Sequence, residues 1–133
     1  MSTATGSFEV QLTPLPSSAE AEGAVVGRRS IVKQFHGDLE ASSAGEMLSA
    51  GSPVKGSAGY VAIEWVSGKL QGRSGSFALQ HFGVMERGAG RLTVSVVPDS
   101  GSGELVGLSG KLDVRIVDGQ HFYDFDYSLD AAP

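Results

Sequence analysis

The sequence predicts an all-β chain, built as an eight-stranded antiparallel barrel or sandwich. Short runs alternate apolar and polar residues along most of the chain. Strong turn dipeptides separate those runs. No other stretch of useful length repeats with the 3.6-residue period of a helix, one short segment excepted. The clearest run is "HFYDFDYSL", which puts His121, Tyr123, Phe125, Tyr127 and Leu129 on one face and Phe122, Asp124, Asp126 and Ser128 on the other. A register slip of one residue would bury two aspartates, so the aromatic face must look into the core.

Taken in order, the first strand lies near residues 6–14, where "SFEVQL" turns Phe8, Val10 and Leu12 inward. The second lies near 24–36 and sets Lys33 in phase with Ile31 and Phe35. The third, near 38–49, is the least regular, because "AGEMLSA" also fits one helical turn. The fourth, near 58–66, contains "VAIEWV", apolar on both faces, so its phase stays open. Ser67-Gly68 is expected as the turn into the fifth strand, near 70–85. That strand holds "SFALQHF", with His81 in phase with Phe77 and Leu79. "ERGAG" at 86–90 is a loop before the sixth strand, near 91–97, where Leu92, Val94 and Val96 oppose Thr93 and Ser95. "PDSGSG" at 98–103 is a second loop, and the seventh strand, near 108–117, points Leu112, Val114 and Ile116 inward. Asp118-Gly119 is a strong hairpin signal into the eighth, near 120–129.

Composition narrows the function classes. At 133 residues the chain reads as one domain, 1–133, and 41% apolar content suits a globular core. The absence of cysteine excludes disulfides and thiolate chemistry. A net charge of −5 with only ten Lys and Arg argues against nucleic acid and against an anionic membrane as partners. The run "YVAIEWV" is too short to span a bilayer, and "MSTATGSFEV" does not read as a secretory signal. The expectation is a soluble, cytoplasmic protein. Two strands apolar on both faces, "VAIEWV" and "SFALQHF", predict that another subunit covers part of the outer wall, giving a homo-oligomer. The alternative is cover by a loop or by the N-terminal segment.

The blocks "FHGDLEASSAGEML", "GSAGYVAIEWVSGKLQGRSGSFALQHFGVM", "VVPDSGSGELVGLSGKL" and "HFYDFDYSL" follow one another in the chain. Together they resemble a bacterial domain-of-unknown-function family placed with the allene oxide cyclase-like barrels. "SGSGELVGLSG" also looks like the Gly-rich lead into a strand of dirigent proteins. The resemblance implies a barrel rather than a sandwich: eight antiparallel strands, allene oxide cyclase-like or lipocalin-like. It also implies frequent homo-oligomers and an apolar lumen able to hold a small organic molecule. Allene oxide cyclases isomerise a reactive lipid held beside a glutamate. The resemblance neither implies a reaction for this chain nor assigns that glutamate a position in it.

Several residues could carry chemistry in such a lumen. Glu64 sits between Ile63 and Trp65, where a carboxylate is costly to bury unless paired. Facing inward it becomes an acid/base candidate; facing outward it closes an ion pair at a subunit contact. His81 is either a hydrogen-bonded rim histidine or an acid/base group. Tyr123 lies near the middle of the last strand. These three are the catalytic candidates. Lys33, Tyr60, Phe77, His121, Phe125 and Tyr127 are the ligand-binding candidates, with an aromatic core as the alternative reading of the last strand. Lys33 either snorkels at the rim or pairs with Glu64 or Glu40. No metal or cofactor is expected: His36, His81 and His121 lie on separate strands without a local ligand spacing. The glycines around "GRSGSFALQHFG" match no phosphate loop, since no lysine follows Gly72 or Gly75 and a strand follows instead of a helix. Gly68, Gly72, Gly75 and Gly83 read as twist and bend points of a barrel wall. "GRSGSF" likewise lacks the G-x-S-x-G elbow that would make Ser74 or Ser76 a nucleophile. Two functions remain: a cyclase or isomerase acting on an apolar substrate held in the lumen, or a non-catalytic carrier or sensor of an apolar metabolite.

Overall fold

A computed structural model describes residues 1–17, 20–21 and 24–129 of the chain. The expected domain 1–133 therefore includes short pieces that lie outside the described residues. The strands are β1 (Ser2–Leu15), β2 (Glu20–Ala21), β3 (Ala24–Val25), β4 (Gly27–Gly37), β5 (Leu39–Gly51), β6 (Ala58–Leu70), β7 (Arg73–Glu86), β8 (Ala89–Val96), β9 (Leu108–Val117) and β10 (Gln120–Leu129). Eight of them close into an antiparallel barrel in the order β1-β10-β9-β8-β7-β6-β5-β4, while β2 and β3 form a small ladder of their own. Among the described residues there is no α-helix, only a single 3-10 turn at Gly103–Leu105. The segment "AGEMLSA" is strand throughout, because pairing with β4 and β6 satisfies its backbone on both sides.

Turn chemistry explains the register. Asp118 and Gly119 have φ of 51° and 78°, the left-handed pair that a two-residue hairpin needs, and Val117 pairs with Gln120 across them. Gln71-Gly72 makes the same kind of turn between β6 and β7, with Leu70 opposite Arg73. This corrects the expectation of a turn at Ser67-Gly68. Strand β6 runs through them because Gly68 lies against Ala41 of β5, where an added Cβ would meet the Ala41 Cα at 2.6 Å. The bend is therefore two residues later. The loop expected over 86–90 shrinks to Arg87-Gly88. Strands β8 and β9 meet through one pair only, Ser95 with Lys111. The loop between them folds back on β7 instead, with the Ser102 amide donating to the Ser76 carbonyl at 2.8 Å.

The two ends of the barrel are built differently. One is packed solid by Phe35, Leu39, Leu70, Phe77, Tyr123, Phe125 and Tyr127, all but inaccessible to solvent. Phe77 stacks on Phe125 at 5.9 Å, and Phe35 meets Tyr123 edge-on at 5.7 Å. At the other end Leu12, Leu92 and Ile116 keep their inward phase but stay exposed, Ile116 by 65%. They were expected to be core residues. They form a rim instead, because none of the described residues covers them.

Candidate functional site

The phase of β6, open in the sequence, is settled. Ala62, Glu64 and Val66 face the lumen, while Val61, Ile63 and Trp65 face out. Glu64 is thereby sealed inside the barrel at 0% exposure, and Lys33 and His81 meet it there. Lys33 Nζ on β4 lies 2.8 Å from Glu64 Oε2, and His81 Nε2 on β7 lies 2.6 Å from the same oxygen. Strand phase makes this possible: Ile31-Lys33-Phe35 and Phe77-Leu79-His81 each point one polar group inward among large apolar ones. The Lys33 ammonium also sits 4.9 Å from the Phe8 ring and 5.7 Å from that of Phe35.

The electrostatics fix the charge state of the cluster. Burial pushes the Glu64 carboxyl upward, but the hydrogen bond from His81 and the charge and hydrogen bond of Lys33 outweigh it. The net result is a carboxyl lowered to about 2. Glu64 is ionised, so His81 Nε2 must carry the proton it donates. In the tautomer that carries only this proton, Nδ1 is an acceptor. Nδ1 faces the Tyr60 hydroxyl at 3.4 Å. Burial, then the nearby Glu64 charge, raise the Tyr60 phenol above its ordinary value, so it stays protonated and able to donate. The order Tyr60, His81, Glu64 is thus a short hydrogen-bonded line from the wall to the buried carboxylate.

Tyr60 is placed by what Gly83 lacks. The two residues pair across β6 and β7, and a Cβ on Gly83 would fall 2.2 Å from Tyr60 Cε1. The ring therefore lies flat over the glycine, with its hydroxyl toward His81. Of the four glycines expected to shape the wall, Gly83 is the one that positions a site residue, and nothing about "GRSGSFALQHFG" cradles an anion.

Above the cluster is a cavity of about 290 Å³ at the exposed rim. Lys33, Tyr60, His81 and His121 supply its polar lining, and Phe8 and Met47 are among its apolar walls. Glu64 does not line it; the carboxylate lies behind Lys33 and His81. A second hollow of about 370 Å³ shares Met47, Tyr60 and Leu92 with the first. His121 rests against Phe8 with ring centres 5.1 Å apart.

Five of the nine candidate residues thus converge: Glu64, His81, Lys33, Tyr60 and His121. The other four do not join them. Phe77, Phe125 and Tyr127 belong to the packed end, and Tyr127 donates its hydroxyl to Gln71 Oε1. Tyr123 is also there. Its hydroxyl accepts from the Leu39 amide at 2.8 Å and lies 2.9 Å from the His36 carbonyl. Burial, with the Asp38 and Glu40 charges, pushes its phenol up to about 12. These bonds tie β10 to the turn between β4 and β5, which is a structural task. Its placement at mid-strand is right, but mid-strand in β10 is the sealed half of the lumen.

Ser43 is a residue that the sequence did not single out. It faces inward opposite Lys33, and its Oγ and Glu64 Oε1 are buried side-chain atoms without a hydrogen-bond partner among the described residues. Its signal was faint: Ala41, Ser43 and Met47 share one phase, and Ser43 lies just before the segment "AGEMLSA" that also fitted a helical turn. Among the described residues no group of three His, Cys, Asp or Glu side chains could hold a metal ion. Nor is any helix there long and apolar enough to cross a membrane.

The class is therefore a closed eight-stranded antiparallel barrel, packed at one end and carrying a buried ionised cluster beneath an apolar rim at the other. The chain belongs to the DUF3224 family of proteins of unknown function, whose family model matches residues 4–127. It is similar to the crystal structure of a DUF3224-family protein of unknown function from Shewanella oneidensis MR-1. The two are 55% identical over 99% of each chain, with a TM-score of 0.95. No curated protein matches the sequence.

Proposed function

We propose that the open end of the barrel binds a small, mostly apolar organic molecule, in keeping with the allene oxide cyclase-like resemblance. The observation that supports this is the buried Lys33–Glu64–His81 cluster directly beneath an apolar cavity. A buried ion pair is rarely the most stable filling for a core, since well-packed apolar residues do as well or better. Ligand sites, in contrast, combine apolar walls with a few convergent polar groups. Here Lys33 would meet a ligand oxygen with its remaining donors, Tyr60 would donate a hydrogen bond, and His81 Nδ1 would accept a proton.

The same arrangement supports proton-transfer isomerisation or cyclisation as the reaction type. Glu64, held at about 2, is too weak a base for the task. His81 is the proton carrier, and Glu64 orients its ring and stabilises the imidazolium that forms. A carrier without catalysis is the second reading, favoured by the length of the Tyr60–His81 contact, 3.4 Å.

The test is native mass spectrometry of the purified protein, followed by extraction and identification of what is bound. Leu92→Trp, which fills the rim, should abolish retention while the fold survives. A protein that carries no ligand and binds no apolar fluorophore, such as anilinonaphthalene sulfonate, at the rim would overturn the proposal. His81→Asn separates the two readings: a carrier keeps its ligand and its behaviour, whereas an isomerase keeps the ligand and loses turnover.

A further inference from the structure

Strand β6 raises a second question on its outer side. Trp65 is 56% exposed and Phe82, on the neighbouring β7, is 59% exposed. They are not isolated. The register sets Leu48, Val61 and Phe82 side by side across β5, β6 and β7. A second row runs Val32, Ala44, Trp65 across β4 to β6, and Ala78, next in register on β7, is buried under the Val97–Ser100 segment. Ile63 lies between the rows, flanked by Glu46 and Gln80. The opposite wall is unlike this one: Lys111, Asp113 and Arg115 of β9 stand beside Asp124 and Asp126 of β10.

We propose that this outer wall of β4 to β7 is the contact face of a homodimer, occupied by a second copy of this chain about a two-fold axis. The first argument is area. Val32, Leu48, Val61, Ile63, Trp65 and Phe82 are each about half exposed. Together they offer on the order of 500 Å² of apolar surface, given the size of such side chains. That is the apolar centre of an interface of ordinary size, roughly 800 Å² per partner with its polar rim. An apolar patch of this extent matches the largest on an ordinary monomer, and such patches are often functional.

The second argument is charge. Arg28 stands beside Leu48 and Glu46 beside Ile63, and the two pair with each other at 2.7 Å. Among the described residues the apolar rows therefore carry no net charge within one copy, and the exposed Lys69 of β6 lies beyond them. The whole chain carries −5, so two copies repel across most approaches. This wall is the neutral route of approach.

The third argument is shape. A depression of about 760 Å³ lies on the same wall, lined by Glu46, Leu48, Val61, Ile63 and Gln80 among others. The exposed Phe82 is paired to Val61, which lines that depression. A knob and a hollow on one face of one chain are what an isologous contact requires, each copy filling the other.

Trp65 makes the test direct, because it is the sole tryptophan of the chain and lies on the proposed face. Light scattering at about 20 µM should give twice the 13.7 kDa of the chain. On dilution to about 20 nM, Trp65 emission should shift to the red and become open to acrylamide quenching. Ile63→Lys and Phe82→Lys should each raise the dissociation constant about a hundredfold while the β-sheet dichroism stays unchanged. A 13.7 kDa species at the higher concentration overturns the proposal. So does an assembly of three or more copies, or a dimer that both lysine variants leave intact. Should a variant fail to fold, the wild-type dilution series decides alone: unchanged Trp65 emission across it refutes the contact.

Discussion

Replacing Glu64 by glutamine keeps the shape of the side chain and removes its charge, so it isolates what the buried carboxylate does. In the folded barrel the Glu64 carboxyl is lowered from 4.5 to about 2. Each pKa unit corresponds to about 1.4 kcal/mol, so the ionised form gains roughly 3 kcal/mol from its surroundings relative to the protonated one. Because the folded value is the lower one, this stability is complete above the unfolded value near 4.5 and is lost as pH falls toward about 2. The wild type should therefore weaken steeply over that window, in excess of what its exposed carboxylates produce. In Glu64→Gln the excess disappears. At neutral pH the variant should already be less stable by about 3 kcal/mol, because the Lys33 ammonium is left buried without its counter-charge. The assay is urea denaturation of both proteins at a series of pH values from about 7 down to 2. Parallel acid limbs for the two, or a loss at neutral pH well below 1 kcal/mol, would refute the idea that Glu64 is ionised and held by Lys33 and His81.

Adding Lys33→Met to Glu64→Gln should restore about 1–3 kcal/mol relative to Glu64→Gln alone, because the stranded ammonium goes; additive losses in a double-mutant cycle would contradict the pairing. Tyr123→Phe should cost about 1–3 kcal/mol, since the buried Leu39 amide loses its acceptor. A thermal melt reads that loss, and retention of any rim ligand should not change with it. Gly83→Ala should push the Tyr60 ring off its seat, because the new Cβ would lie 2.2 Å from that ring. Binding at the rim should then weaken at least as much as in Tyr60→Phe, while the melting temperature moves by only a few degrees, as a loss of about 1 kcal/mol would produce.

The barrel was legible because alternation is a local property. Asp124 and Asp126 could not be buried, so β10 had one possible phase, and Asp118-Gly119 fixed its partner. The same logic placed Lys33 and His81 inward. It could not orient "VAIEWV", where bulky apolar groups stand on both sides of the pleat. Only the closure of the barrel, with Ala62 and Val66 inside, decides that Glu64 is buried. Nor could alternation say which end of a strand is sealed. Tyr123 and His121 share a face two residues apart, yet one is fastened to the β4–β5 turn and the other lines the rim. That difference depends on how the strands stagger around the barrel, and stagger depends on every turn at once. The slip of the expected turn from Ser67-Gly68 to Gln71-Gly72 is the same failure on a smaller scale.

The residues of β6 and β7 answer to two demands at once. Inward, Glu64 and His81 need neighbours that hold them at 2.6 Å without water. Outward, Ile63, Trp65 and Phe82 form a surface that water does not favour. A strand whose outer face was merely solvated would carry Thr, Lys or Glu there, as Lys111, Asp113 and Arg115 do on β9. Bulky apolar residues outside and Ala62, Glu64 and Val66 inside leave "VAIEWV" without alternation. In the proposed dimer, the contact would clamp the same two strands whose inner faces hold the Glu64–His81 pair. Loosening of that wall would be felt first at a hydrogen bond that tolerates only tenths of an ångström.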